Sequence, residues 1–516
     1  MTTGAPSTPP LSDAERIRQL EAQLRERDQQ LRWAECKIQA LEERLRLQLI
    51  AKYGPASEKL SDVQLQLLEL EPGVSQREVQ AESEREPLSK TSTNQQNRKH
   101  PGRQQLPADL PRVEKVIPCT PEQCTCKACG RDTVVIGYEQ SEQLDVEPAR
   151  YFVLVTKREK RVCRDCATGV RTAPVPERII DKGLVSDQVV IDTLVAKYSD
   201  HIPLYRQSMI LERETGITIS RATMDGWVMQ SGELLIPVAA AIGRELLSGS
   251  YIQADETPVP VQMQEGRGRN HQAYLWQYGR PGASVFFDFQ TGRGRVGPKQ
   301  FLGNFEGILQ TDGYGAYETC GGSNIVHAAC WAHLRRKVFE AVKLNPEDRL
   351  ATQLVARIDE LFAIDAEARR TGMDHNARHV LRQKRAESLL EPLRAQMEAV
   401  RKSVLPASVL GKAVNYGLSL WPRLTRFLEY PELELSNNLA ENSMRPVVLG
   451  RKNWIHIGSE QAGPKIAAIL SIVESCRRLK LPLREYLASV LPGLANLSVR
   501  LAHQLTPAAW TASHSR

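Results

Sequence analysis

Between residues 14 and 50, apolar side chains return every seven positions, at Ile17, Leu24, Leu31, Ile38 and Leu45. The companion register is mixed: Leu20, Arg27, Ala34, Leu41 and Gln48. Glu, Arg and Gln fill most of the positions between. On a helix, a seven-residue apolar repeat lines up as one seam, and two such seams bury each other in a coiled coil. The pattern predicts a helical, coiled-coil leader over 1–70 that pairs with a second copy. A single amphipathic helix lying on its own protein is the alternative.

Residues 71–108 are rich in Glu, Ser, Gln, Asn, Lys and Pro, a composition too poor in apolar groups to fold, and predict a flexible linker. Helical spacing over 184–247 gives way to short β-rich runs at 249–254, 272–278, 283–289, 307–310 and 324–328. Gly279-Arg-Pro-Gly282 reads as the hairpin turn between the second and third. Helical spacing returns over 331–430, with Pro346, Pro392, Pro406 and Pro422 as expected breaks or helix starts. The expected segments are 1–70 leader, 71–108 linker, 109–175 cysteine module and 176–248 helical connector. A mixed α/β core follows at 249–332, interrupted by a helical insertion at 333–430 and resumed at 431–457. A C-terminal helical domain occupies 458–516.

With 516 residues the chain is too long for one ordinary domain, and 41% apolar residues suffice for packed cores. MTTGAPSTPPLSD lacks the apolar centre of a signal peptide, and no run is long enough to span a membrane. The expected location is therefore the cytoplasm. The formal net charge of +7 permits a nucleic-acid partner without requiring one.

Ten cysteines without a secretion signal point to metal rather than disulfides. Cys126-Lys-Ala-Cys129 and Cys163-Arg-Asp-Cys166 each put two thiolates on one tight turn. Together they complete a closed tetrahedral site, which predicts structural Zn²⁺. Cys119 and Cys124 lie close enough to replace a member of the first pair. Cys36, Cys320, Cys330 and Cys476 read as buried free thiols.

Residues 204–228 carry a helix, a break at Gly216 and a second helix for which Ser220 is the natural N-cap. Ile217 and Ile219 would fill the angle between the helices. The outline is that of a helix-turn-helix with Arg221 and Thr223 offered to a groove, or of an ordinary helical hairpin.

Asp255 and Asp312 each follow a β-run, and each is followed by Pro or Gly within a few residues. A lone strand-end Asp is usually a turn former. Two on neighbouring strands can share a pair of Mg²⁺ ions roughly 3.5–4 Å apart. The β-β-β-α-β-α-β order is that of a ribonuclease H-like core, whose acids fall on the first strand, the fourth strand and a late helix.

Along the chain stand, in order, Tyr53-Gly-Pro-Ala-Ser-Glu-Lys-Leu60, Leu106-Pro-Ala-Asp-Leu-Pro-Arg112, Lys197-Tyr-Ser-Asp-His-Ile-Pro-Leu-Tyr-Arg-Gln207, Ala254-Asp-Glu-Thr-Pro258, Thr311-Asp-Gly-Tyr314, Cys330-Trp-Ala-His-Leu-Arg-Arg-Lys337, Asn437-Asn-Leu-Ala-Glu441 and Gly450-Arg-Lys-Asn-Trp454. In these the chain resembles the DDE transposases of bacterial insertion sequences of family sixty-six. The resemblance implies a ribonuclease H-like catalytic domain with Asp, Asp and Glu ligands, interrupted by a helical insertion. It also implies a helical leader, a zinc module, DNA as partner and accessory proteins of the same element. Two positions depart from the family's usual residues: Ser436 stands for Asp, and Asn442 for Arg.

The third ligand is expected at Glu441, one turn into a helix that Ser436, Asn437 or Asn438 would cap. Glu429, Glu432 and Glu434 compete, but they flank Pro431 in a polar connector where a solvated charge is the ordinary reading. Arg293, Arg295, Lys299, Arg335, Arg336, Arg451 and Lys452 are expected at DNA phosphates, with Arg335 and Arg336 alternatively forming salt bridges on a helix face. The expected activity is Mg²⁺-dependent cleavage at element ends and transfer of the 3′-OH into target DNA, by a homo-oligomer. A nuclease that cuts without joining and an inactive zinc-containing DNA-binding protein are the alternatives.

Overall fold

The computed structural model describes residues 13–53, 65, 79, 151–161, 171–263 and 270–514. Cys119, Cys124, Cys126, Cys129, Cys163 and Cys166 lie outside the described residues, as does the linker 71–108 apart from Val79, including its basic end Arg98-Lys99-His100-Pro101-Gly102-Arg103, which the sequence offers either to DNA phosphates or as a solvated basic tract. The chain divides into two compact units, Met1–Ser89 with Thr156–Arg516, and Lys90–Val155. Of the second unit, residues 151–155 are described, and all five are exposed. The sheet, the long helices and the carboxylates all belong to the first unit. No helix among the described residues is long and apolar enough to cross a membrane.

The heptad stretch is one helix, α1 (Asp13–Tyr53). Its seam finds no cover among the described residues: Ile17, Leu24, Leu31, Ile38 and Leu45 are all more than half exposed. Three further helices among the described residues lead into the sheet: α2 (Asp187–Tyr198), α3 (Leu204–Thr215) and α4 (Arg221–Leu247). Gly216 ends α3 at φ 70°, and Ser220 Oγ accepts a bond from Thr223 N at 3.1 Å to start α4. Both caps follow the sequence reading. Ile219 is buried between the helices, but Ile217 is exposed and does not fill the angle. At 27 residues α4 far outruns a recognition helix: Leu235, Val238 and Ile242 are buried in the main core. Arg221 and Thr223, in its first turn, face solvent.

All five β-runs are strands of one sheet: β1 (Tyr251–Val261), β2 (His271–Gly279), β3 (Val285–Gln290), β4 (Ile308–Thr311) and β5 (Val326–Ala329). The spatial order is β3-β2-β1-β4-β5. The first three strands are antiparallel, β4 lies parallel to β1, and β5 lies parallel to β4. A short helix, α5 (Val296–Leu302), joins β3 to β4.

β1 is longer than the sequence pattern indicates. It does not end near Asp255 but runs on to Val261 beside β2, while its parallel pairing with β4 stops at Gln253. Pro258 and Pro260 are tolerated because their nitrogens and carbonyls point to the side β4 has vacated. There the Pro260 carbonyl accepts from Ile457 N at 2.9 Å, and the Pro258 carbonyl from Arg451. The opposite edge is covered by a helix. Ser471 and Ser475 take up the free amides of β3 at Phe287 and Val285, at 2.8 and 2.9 Å, which leaves those positions closed to another strand.

The insertion is helical as expected: α6 (Trp331–Leu344), α7 (Arg349–Arg370), α8 (His375–Arg385), α9 (Glu387–Ser403) and α10 (Val409–Ser419). Asp348, Asp374 and Ser408 cap α7, α8 and α10. Pro392 is no break; it sits inside α9. These helices share a second core with one side of the sheet, through Tyr251, Ile308 and Ala328. The chain then returns to the sheet and enters α11 (Asn438–Trp454), α12 (Ala462–Arg478), α13 (Leu483–Val490) and α14 (Pro507–His514).

Candidate active site

Asp255 lies on β1 just past the end of its parallel pairing, and Asp312 just past β4. The Asp255 carboxylate accepts from Glu256 N at 2.9 Å. Burial, then the charges of Glu441 and Glu256, push its pKa up to about 8 against the pull of His333. Asp312 is a turn former too: its Oδ1 accepts from Tyr314 N at 2.8 Å, and Gly313 beside it takes φ 87°. The Tyr416 hydroxyl, from α10, donates to the Asp312 carbonyl.

Glu441 is in the first turn of α11. None of Ser436, Asn437 or Asn438 supplies the expected side-chain cap. Instead Asn437 N donates to Cys330 Sγ at 3.4 Å, which joins the start of α11 to the start of α6. Two α6 side chains reach Glu441: Arg336 Nη2 at 2.8 Å from Oε2, and His333 Nε2 at 3.2 Å from Oε1. Burial opposes charge on Glu441, but His333, Arg336 and Arg445 outweigh it and lower the pKa. Burial likewise opposes charge on His333, yet Cys330 and Glu441 raise it to about 10.

Two members of this cluster escape sequence reasoning. Glu256 is buried, held by Arg293 at 2.9 Å and by the Tyr317 hydroxyl at 3.1 Å. Burial, with Asp312 adding and Arg293 opposing, raises its pKa. The Arg293 guanidinium in turn lies 4.2 Å from the centroid of the Tyr314 ring. His333 is the other. Its only sequence signal is helical spacing, three residues before Arg336, which puts both on one face of α6.

The remaining predicted residues separate. Arg221, Arg295, Lys299 and Lys452 are exposed, and Arg451 is partly so. Arg335 is buried and bound bidentate by Asp359, at 2.6 and 3.1 Å, so the salt-bridge reading applies to it and the phosphate reading does not. Glu434 is not a solvated charge in a connector either. It is buried against Arg369 and against Arg378 at 3.0 Å. Cys320, Cys330 and Cys476 are buried free thiols, as expected.

Among the described residues, no three His, Cys, Asp or Glu side chains stand close enough to hold a metal ion as a ready-made set. The donor chemistry nonetheless suits a hard cation. Asp255 and Glu441 are acids close enough for the charge of one to raise the pKa of the other; Glu441 Oε1 has only its ion pair with His333, and both amide atoms of Asn437 are buried without hydrogen bonds. Carboxylates flanked by arginines are groups suited to phosphodiester chemistry.

Comparison with known proteins gives the class and then the family. A sequence model for the zinc-finger binding domain of transposase IS66 matches residues 123–167, a span that contains both cysteine pairs. One for the Transposase C of IS166 homeodomain matches 40–114. One for the Transposase IS66 family matches 182–465. The chain belongs to the Transposase IS66 family. It is 32% identical over 467 residues to uncharacterized protein y4qI of Sinorhizobium fredii (strain NBRC 101917 / NGR234), covering 86% of this chain and 84% of that one. Uncharacterized protein y4hP of the same organism is 30% identical over 495 residues, covering 91% and 87%.

Proposed function

We propose that this chain is a DDE-type DNA transposase with a ribonuclease H-like core, in which Asp255, Asp312 and Glu441 hold Mg²⁺. The observation that carries the reading is the sheet order β3-β2-β1-β4-β5, with the two aspartates past the ends of the parallel pair and Glu441 close enough to raise the pKa of Asp255. Bound there, Mg²⁺ would supply activation of a water or 3′-hydroxyl and stabilise the leaving oxygen. His333 and Arg336 fix the orientation of Glu441. Glu256 holds Arg293 beside Asp312, where its half-exposed guanidinium meets a phosphate. Arg221, Arg295, Lys299, Arg451 and Lys452 add phosphate contacts.

Cys126, Cys129, Cys163 and Cys166 hold one structural Zn²⁺ in this reading, supported by the zinc-finger match over 123–167. The exposed seam of α1 supports a homo-oligomer, which the joining of two element ends requires. The test is nicking and strand transfer on element-end DNA with Mg²⁺. Asp255→Asn, Asp312→Asn and Glu441→Gln are each expected to abolish both reactions while leaving DNA binding intact. Cutting without joining by the native chain would reduce the reading to a nuclease. Full activity in any of the three variants would remove that residue from the site.

A further inference from the structure

A cavity of about 230 Å³ opens between the C-terminal end of α2, the second turn of α4, and the segment linking α11 to α12. It is separate from the carboxylates: Glu441 and Trp454 lie at opposite ends of α11, about 20 Å apart at 1.5 Å per residue. Lys197, Tyr198, Asp225 and Trp454 line it, with Met229 and Ile466 as apolar wall.

Among the described residues, one polar group beside it is buried without a hydrogen bond, and two charged side chains line it. The Tyr198 side chain is 2% exposed and its hydroxyl makes no hydrogen bond. Lys197 makes no ion pair; its Nζ stands 5.5 Å from the centroid of the Tyr198 ring. Burial lowers its pKa, with Asp225 pulling the other way. Asp225, which also lines the cavity, is exposed and makes no hydrogen bond to the described residues. A buried hydroxyl left unpaired at a cavity, with an ammonium and a carboxylate beside it, is the mark of a ligand that pairs it.

The aromatic wall is held in place by its backbone. A Cβ on Gly450 would stand 2.7 Å from Trp454 Nε1, so only glycine lets the indole fold back over its own helix. The next residue, Ile455, takes φ 65°, a conformation that β-branched residues avoid and that clusters at ligand clamps. Beyond it, Ile457 is pinned at the end of β1, its N–H donating to Pro260 O and its carbonyl accepting from Gln262 N, at 2.9 Å each.

The chemistry narrows the ligand. A free anion would meet Asp225, and an apolar group would leave Lys197 and Tyr198 unpaired. A flat heteroaromatic ring satisfies all of them: one face lies on the indole, and an edge of alternating donors and acceptors meets ammonium, carboxylate and phenol. In a chain that handles DNA, that ring is a base drawn out of its stack. We propose that this pocket binds one unstacked nucleobase of the substrate DNA, against Trp454 and read by Lys197, Asp225 and Tyr198. The proposal rests on the DNA-processing reading of the chain.

The test uses the full chain and fluorescence anisotropy with single-stranded homopolymeric oligonucleotides of each base, beside an abasic strand of the same length. The native chain is expected to prefer at least one base over the abasic strand. Trp454→Ala should weaken that preferred strand about tenfold, in line with base–aromatic stacking, and leave abasic binding unchanged. Tyr198→Phe, which keeps the ring and its packing, should narrow the differences among bases. Equal loss on both kinds of strand, or no loss on either, overturns the pocket alone. A native chain that binds element-end duplex but none of these strands overturns the pocket alone, and one that binds neither overturns the DNA reading together with it.

Discussion

Gln253 and Gln310 stand side by side in the parallel pairing of β1 and β4, and both amides reach out of the sheet to the same stretch of chain. Gln253 Nε2 donates to the Ser436 carbonyl at 3.0 Å, and Gln310 Nε2 to the Glu434 carbonyl at 2.7 Å. The Tyr251 hydroxyl lies between them, 2.7 Å from Gln253 Nε2 and bonded to Gln310 Oε1. Each glutamine is two residues ahead of an aspartate of the proposed site, and the stretch they hold leads into the helix that carries Glu441. One buried network therefore ties together the three elements that bear the acids. It uses the Ser436 backbone, so a serine there in place of the family's usual aspartate leaves it whole.

Gln253→Leu and Gln310→Leu should each cost about 1–3 kcal/mol of stability by stranding a buried carbonyl. They should also slow metal-dependent cleavage far more than that loss explains, by roughly 10²-fold, because an ångström of misplacement is enough to do so. Single-turnover cleavage and thermal melting on the same samples check this. Melting lowered with cleavage unchanged would make the glutamines structural only.

Arg335 and Arg336 are neighbours with different work. Arg335 is buried on Asp359, whereas Arg336 reaches Glu441 and is partly exposed. Arg335→Ala strands a carboxylate and should lower the melting temperature markedly. Arg336→Ala should leave melting nearly unchanged and reduce cleavage. The same order of effects in both assays for both variants would refute the division.

The strands, the helical insertion and the start of α4 are legible in the sequence because each rests on local signals: alternation, β-branched residues, Gly216 and Ser220. The full length of β1 is not, since Pro258 and Pro260 look like a strand's end until the vacated edge is known. Asp255 and Asp312 are visible as acids after apolar runs. Glu256, beside one of them, is not, because what marks it is a partner 37 positions away, Arg293. Arg335 and Arg336 look identical in sequence; only the helix Asp359 sits on tells them apart. Glu434 looks solvated because its three arginine neighbours come from helices far earlier in the chain.

Those neighbours hold the Glu434 carboxylate well below the usual carboxylate range. Burial opposes its charge, but Arg369, Arg378 and Arg382 outweigh it and lower its pKa to about 2. A carboxylate depressed in the fold stabilises above its unfolded value and loses that contribution as pH falls toward the folded one. Its contribution should thus be complete at neutral pH and fade from about pH 4.5 down to about 2. Glu434→Gln should cost roughly 3–5 kcal/mol at neutral pH, the penalty for leaving buried arginines unpaired. The difference from the native chain should shrink in acid, as followed by chemical denaturation. A difference independent of pH would mean the charge is not what stabilises.

The cysteine pairs predict about one zinc per chain, as one closed tetrahedral site requires. Cys163→Ser should release it, as measured by metal analysis of the purified chain. Full retention would turn attention to Cys119 or Cys124 as the fourth ligand.

The exposed seam of α1 leads to the last prediction. Near its C-terminal end the helix touches the insertion, through Arg46 Nη1 on the Leu344 carbonyl at 2.7 Å and Val409 N on Glu43 at 3.3 Å. Along Leu24 and Leu31 none of the described residues covers it, and each is more than 60% exposed. Apolar side chains at seven-residue spacing are buried most simply by the same seam of a second copy. Arg27 in the companion register weakens that seam, since a charge at a core position costs stability. Leu24→Lys with Leu31→Lys should therefore lower the mass seen by light scattering, and Arg27→Leu should make the larger species persist to lower concentration. The helix itself tolerates lysine, so the rest of the fold should melt as before. A mass unchanged in both variants would leave α1 without a role in self-association.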